Sequence, residues 1–320
     1  MTKNQKNSTT KDLLTKHYTL TLQGNALNRF SRANDKRNTK KIAMSKKKVA
    51  RFASVTVEFE KGMDTATAQV MDYVNSLFTT GTNQKSPVIE FTVDQYMKDA
   101  GPRLTSYRYA RAKLKKALDN ILDLVFSYSG GSKYSKHDYS FAAMHVYAEY
   151  KIKRGGHVSI TLAPTYHKLL CDSFPMPMPK LLFKLNPKSE ATAWYILRTL
   201  TENKRMNFGK SNADRMKIKY ILERCPSLPA YKEVMGAAND GHARQRIIEP
   251  FFASLEKLTS AIDYTFIDAD GKPLNYEEGL DYDTFINSTM IIKKWTDYPN
   301  AYMHSYNEKR KIKENHQKNK

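Results

Sequence analysis

Cysteine is scarce: Cys171 and Cys225 are the only two in 320 residues. So few thiols exclude a disulfide framework and a Cys-rich zinc site, and they fit a reducing compartment. Each lies beside an apolar helical run, where a buried thiol is the expected role. Long hydrophobic runs are lacking too. No window approaches the roughly eighteen apolar residues of a membrane span. The opening "MTKNQKNSTTKDLL" holds no apolar core of signal-peptide length. The expectation is a soluble, cytoplasmic chain with no membrane partner. Acidic residues are the third shortage. Asp and Glu number 32 against 53 Lys and Arg, for a formal charge of +21 and a pI near 9.7. Such a surplus attracts polyanions: nucleic acid, acidic lipid or an acidic protein.

Catalytic signatures are missing as well. The eight His include no pair separated by one residue, the arrangement a metal-dependent nicking enzyme uses. No Arg-His-Arg grouping is present to stabilise a phosphoryl transition state. "FGKS" at Phe208 to Ser211 matches only the end of a phosphate loop, because position 204 is Lys where the first Gly belongs. "DADG" at Asp268 to Gly271 lacks the remaining ligands of a calcium loop and makes a better hairpin turn. No Gly-Xaa-Ser-Xaa-Gly elbow appears. We therefore expect no catalysis, no cofactor and no metal.

What is present is basic at both ends and periodic between. Residues 28 to 51 hold ten Lys or Arg against one acid, Asp35, with little apolar periodicity, so residues 1–54 read as a mobile basic arm. Residues 301–320 read as a shorter basic tail. "FPMPMPK" anchors a Pro-containing linker at 174–187, which separates a first domain at 55–173 from a second at 188–300.

The same order of elements occurs in both domains. In the first, Asp64 caps a helix with Val70, Met71, Val74, Leu77 and Phe78 on one face. "PVIEF" reads as a strand, and Thr92 caps a brief helix stopped by "AGP". A third helix follows with Ala110, Leu114, Ala117, Leu118, Ile121 and Val125 inward. "DLVFSYSGGSKYSKHDYSF" then reads as a strand returning through a Gly-rich loop. In the hairpin that ends the domain, Val146, Ala148, Tyr150 and Ile152 alternate with polar residues, as do Val158, Ile160 and Leu162. A three-residue loop at Arg154 to Gly156 pairs Ile152 with Val158 and Lys153 with His157, so that apolar meets apolar. In the second domain, Ala193, Ile196, Leu197 and Leu200 make one helix face, and Ile218, Ile221, Leu222 and Cys225 another. "ARQRIIEPFFASLEKLTSAI" reads as a long helix burying Ile248, Phe251, Leu255, Leu258 and Ile262. "YTFIDADGKPLNY" and "STMIIKKW" supply its hairpin. The fold class expected is α+β, mainly helical: two tandem winged-helix domains, each of three helices and a β-hairpin wing, with basic flexible tails.

A winged helix offers its third helix to the major groove, which admits one α-helix, and its hairpin to neighbouring backbone. The third helix of the first domain lies in "LTSYRYARAKLKKAL", with five Lys or Arg in fifteen residues and no acid. Arg108, Arg111 and Lys115 recur at helical spacing opposite the core, with Tyr107 and Lys116 at the margins. Arg103 and Ser106 lead into them. Arg binds guanine edges or phosphate bidentately, Lys supplies a point charge, and Tyr a phosphate hydrogen bond. A solvated face would normally mix signs, and here Asp119 is the first acid, beyond the cluster. Lys153 and Arg154 give the wing a basic tip. In the second domain His242, Arg244, Gln245 and Arg246 open the corresponding helix, and Lys272 flanks its turn. Pro250 forces that helix to kink or restart near Glu249, and a restart would leave the cluster in a loop.

"FPMPMPKLLFKL", "ERCPSLPAYKEVM" and "RQRIIEPFFASLEKL", with the two-domain order, give a chain that resembles the tandem winged-helix replication initiators of plasmids and related mobile elements, particularly those of low-GC Gram-positive bacteria. The resemblance spans about residues 55 to 300. It implies sequence-specific binding of double-stranded DNA at origin repeats, local duplex opening and recruitment of host replication proteins. It also implies autorepression, with homodimers as repressors and monomers as initiators. Arg108, Arg111 and Lys115 match one recognition helix, and Arg244 to Arg246 the other. The long arm before residue 55 and Pro250 depart from the pattern. Three other readings stand beside it: a winged-helix transcription repressor, a DNA-nicking enzyme or recombinase, and a basic partner of acidic proteins.

Overall fold

Asp64 starts the helical core of the first unit. Its carboxylate accepts the Thr67 amide at 2.7 Å and caps α1 (Thr65–Thr80). The computed structural model describes residues 17–21, 42–43, 54–58, 64–81, 83–101, 104–129, 142–171, 175–225, 227–231, 234, 242–275, 279–296, 298–301, 303–305 and 307–308. Most of the basic arm and of the basic tail lies outside these residues. The chain divides into two compact units: Thr19–Pro175 with Leu182–Ala191, and Met176–Leu181 with Thr192–Lys320 and Met1–Tyr18.

Helix α1 is buried on more than its apolar face. Val70, Met71, Val74 and Phe78 are inside as expected, but Gln69, Asp72, Asn75 and Ser76 are inside with them. Buried amide N–H groups need partners, and those of Gln69 and Asn75 have them. Gln69 Nε2 donates to the Leu182 and Leu185 carbonyls at 2.6 and 3.1 Å, and Asn75 Nδ2 to the Tyr166 hydroxyl at 2.8 Å. The β-branched and aromatic run after Pro87 makes β3 (Val88–Thr92), whose last residue turns into a cap. The Thr92 hydroxyl accepts the Gln95 amide at 3.0 Å and starts α2 (Val93–Ala100), which ends at Gly101 with φ +66°. Ser106 caps α3 (Tyr107–Leu122) by accepting the Tyr109 amide at 3.4 Å. Its inner stripe is Ala110, Leu114, Ala117, Leu118 and Ile121. Each fully buried Leu or Ile there contributes about 2 kcal/mol. The helix stops short of Val125, which instead opens β4 (Val125–Ser129).

Strand β4 pairs with β5 (Ala142–His145), as the Gly-rich return suggested, in a four-stranded antiparallel sheet with β1 (Ile42–Ala43) and β2 (Ser54–Glu58). The wing follows as β6 (Tyr147–Ile152) and β7 (His157–Leu162). Ile152 faces Val158, and the Lys153 amide donates to the His157 carbonyl at 2.9 Å, the register that the alternation predicts. A bulge between Tyr147 and Glu149 then changes the phase, so Tyr147 is buried and Ala148, expected inside, is exposed. Strand β3 pairs with β7, giving the sheet order β3-β7-β6. After the wing come α4 (Pro164–Cys171), β8 (Pro175–Pro179) and the helical turn α5 (Leu181–Lys184). Met176, Pro177 and Met178 of the Pro-rich segment are buried, as are Leu182, Phe183 and Leu185.

The second unit repeats the order of helix, strand, two helices and two strands, without described counterparts of β4 and β5. Helix α6 (Ala191–Met206) buries Ala193, Ile196, Leu197 and Leu200; β9 (Arg215–Lys217) and α7 (Ile218–Leu222) follow. Then comes a π-helical turn (Arg244–Ile248) running directly into α8 (Glu249–Glu256). The chain reaches β10 (Ile262–Ile267) earlier than the periodicity indicates. Ile262 is buried, but it begins a strand and does not end a helix. The Asp-Gly turn makes a single bridge, Ile267 to Pro273, and β10 finds its main partner after an inserted helix, α9 (Tyr282–Asn287), in β11 (Thr289–Trp295). The sheet order β9-β11-β10 repeats that of the first unit. Helix, strand, two helices and two strands, with the first strand paired to the last, is the winged-helix arrangement in both units.

Candidate nucleic-acid interface

Helix α3 turns Tyr107, Arg108, Tyr109, Arg111, Ala112, Lys113, Lys115 and Lys116 to solvent. Between this face and strand β6 runs a groove of about 550 Å³. Arg108, Arg111 and Lys115 line it beside small Ala112, with Tyr150 and Ile152 from the wing and Tyr107 at one end. The helix and the wing thus share one cationic concavity. Guanidinium groups mounted on a helix can fork onto phosphate or guanine, and Ala112 removes bulk from the line of approach.

The face is not free of acid. Lys115 Nζ lies 2.7 Å from Asp119 Oδ2, and the Tyr150 hydroxyl donates to the other carboxylate oxygen. The bond to Asp119 raises the Lys115 pKa above its ordinary value. Tyr150 is raised by partial burial first and by its bond to Asp119 second. Asp119 follows Lys115 by one helical turn and so lies on the same ridge. The expectation that the acid falls beyond the cluster is corrected there. Tyr150, on the apolar side of the wing's alternation, is only half-buried and lines the groove.

Tyr107 packs on the wing turn. A Cβ at Gly156, whose φ is +78°, would collide with the Tyr107 hydroxyl. The Gly156 carbonyl meanwhile accepts the Val93 amide at 2.9 Å, tying the turn to the start of α2. Lys153 and Arg154 are exposed beside it. Lys116 is exposed on the far flank, where Lys113 Nζ sits 5.2 Å from the centre of the Tyr109 ring. Neither Tyr109 nor Lys113 was singled out from sequence, although both belong to the same cationic stretch. Ser106 serves as the cap, and Arg103 lies outside the described residues.

In the second unit the cluster is helical. Proline has no N–H, and its ring crowds the preceding turn. Opening that turn relieves the crowding: the Glu249 amide reaches back five residues to the Arg244 carbonyl. Arg244, Gln245 and Arg246 are therefore three consecutive exposed residues above buried Ile247 and Ile248. The Arg246 amide donates to the His242 carbonyl at 2.8 Å, and His242 is exposed. Arg244 Nε lies 3.3 Å from Glu249 Oε1, a pair exposed on both sides. Lys272 is exposed at the wing turn, where its amide donates to Asp268 Oδ1 at 2.8 Å.

Among the described residues, no group of three or more His, Cys, Asp or Glu is placed to hold a metal ion, and no helix is long and apolar enough to cross a membrane. No protein-family model and no curated protein matches the chain. Solved structures do. The chain is similar to domains 2 and 3 of RctB, at 11% identity and a TM-score of 0.50, over 85% of this chain and 98% of that one. It is also similar to the Pi initiator protein in complex with iteron DNA, at 11% identity and a TM-score of 0.43, over 72% and 92%. The likeness to RctB is one of fold.

Proposed function

We propose that this protein is a non-enzymatic replication initiator that binds double-stranded DNA by sequence. One observation carries the reading: the exposed cations of α3 open onto a groove whose other wall is the wing. The groove lining offers cations, two tyrosines, Ala112 and Ile152, a set suited to holding a polyanion. The repeated topology supplies a second cationic helix start at Arg244 to Arg246, so one chain carries two readers of duplex. Tandem readers suit repeated origin sites; duplex opening, host-protein recruitment and autorepression by a homodimer belong to the same proposal.

Gel shifts with random and selected duplexes across salt test the binding. Neutralising about six phosphates gives a log–log slope near −5, and a flat response would falsify the mechanism. A winged-helix repressor shares every feature of the site. Plasmid maintenance separates the two: an initiator supplied with its gene and flanking repeats sustains a replicon that lacks another origin, and a repressor does not.

A further inference from the structure

We propose that Asp119 sets DNA specificity by holding Lys115 out of sequence-independent phosphate contact. The inference rests on the DNA-binding reading above. Lys115, Asp119 and Tyr150 form a chain from helix to wing: Lys115 Nζ is 2.7 Å from one carboxylate oxygen, and the Tyr150 hydroxyl donates to the other. Lys115 is exposed and Asp119 partly so, with side chains at 63% and 45%, so the pair does little for folding. Its orientation, Lys preceding the acid by four residues, is also the weaker one on a helix. A weak, exposed pair on a cationic helix face acts mainly on what approaches it.

Tyr150 fixes the result. With one oxygen held by the wing, the carboxylate cannot swing away when a phosphate arrives, so its charge stays beside Lys115. The groove then presents Arg108 and Arg111 as bidentate donors and keeps Lys115, the point charge that contacts any sequence, in check. Asp119 is thus a positioning residue, acting through Lys115.

The experiment measures binding to a random-sequence duplex of about 30 base pairs and to a duplex enriched by selection on the wild-type chain, both across salt. Asp119→Asn keeps the shape and removes the charge. Random-duplex binding should tighten about five- to tenfold near 0.1 M salt, with the log–log slope steeper by about 0.9, and the preference for the selected duplex should fall. Lys115→Gln should change the slope little in the wild type but reverse the gain in the Asp119→Asn background. Tyr150→Phe should give a smaller change in the same direction. Equal slopes for Asp119→Asn and wild type overturn the proposal, as does a full lost contact from Lys115→Gln with Asp119 present, or a larger effect from Tyr150→Phe than from Asp119→Asn. A wild-type chain that binds duplex without salt dependence overturns the DNA-binding reading itself and this inference with it.

Discussion

Gly156 shows how much one position can be asked to do. Its φ of +78° lies where an L side chain is strained, its carbonyl holds the first amide of α2, and its missing side chain makes room for the Tyr107 hydroxyl. Gly156→Ala should therefore cost about 1–3 kcal/mol in urea unfolding, from backbone strain and the displaced ring. Tyr107→Ala in the same chain should recover only the steric part. Arg108 and Arg111 are asked for something different, since both are exposed and neither supports the core. Replacing either by Ala should leave the unfolding midpoint in place. It should weaken selected-duplex binding by about 1–3 kcal/mol if the side chain forks onto a base, seen as lost discrimination in competition gel shifts.

At the scale of elements, the turn before α8 follows from Pro250. Pro250→Ala restores a donor to the helix interior and removes the reason for an i to i−5 bond at Glu249. The variant should gain a backbone bond worth about 0.5–1.5 kcal/mol and lose about 0.4–1 kcal/mol through the freer unfolded chain, so its thermal midpoint should move little. It should bind duplex less well, because a regular turn rotates Arg244, Gln245 and Arg246 away from their consecutive outward positions. Pro250 could be read in the sequence as a conflict, but not its resolution: a kink, a restart and a widened turn all satisfy a missing N–H. The wing register was legible at Ile152 and Val158 because strict alternation leaves one pairing that keeps apolar side chains together. The bulge at Tyr147 was not, since Tyr147 falls on the polar side of the alternation although its ring can equally be buried. Strand β9 escaped notice because Arg215 and Lys217 flank one Met and carry no apolar signal. Helix α9 did leave a trace in "DYDTF": Asp281 accepts the Thr284 amide at 2.9 Å and caps it. The Asp-Gly turn just upstream offered a simpler hairpin that the chain uses only for one bridge.

For the whole molecule, a charge of +21 governs encounter before any groove is reached. Association with duplex should be fast and should slow with added salt, measurable by stopped-flow fluorescence between about 50 and 200 mM. That surplus was plain in composition. The groove that focuses it was only half legible, because α3 declared its cations by periodicity whereas Tyr150 joins it, and bonds Asp119, only once the wing is packed.

The interleaving of the two units has a further consequence, for synthesis. Gln69 waits on acceptors at Leu182 and Leu185, and Tyr73 on the ring of Phe183, all encoded after the strand Pro175–Pro179. A nascent chain that has reached only residue 173 leaves that amide buried without a partner, at about 1–3 kcal/mol. It also lacks three apolar side chains worth about 2 kcal/mol each. Against a total stability of about 5–15 kcal/mol, that deficit is large enough to hold the unit open on the ribosome. A fragment of residues 1–173 should accordingly be protease-sensitive, and one of residues 1–191 resistant over the same core. The unit nearer the start of the message is thus finished only after its successor has begun to emerge.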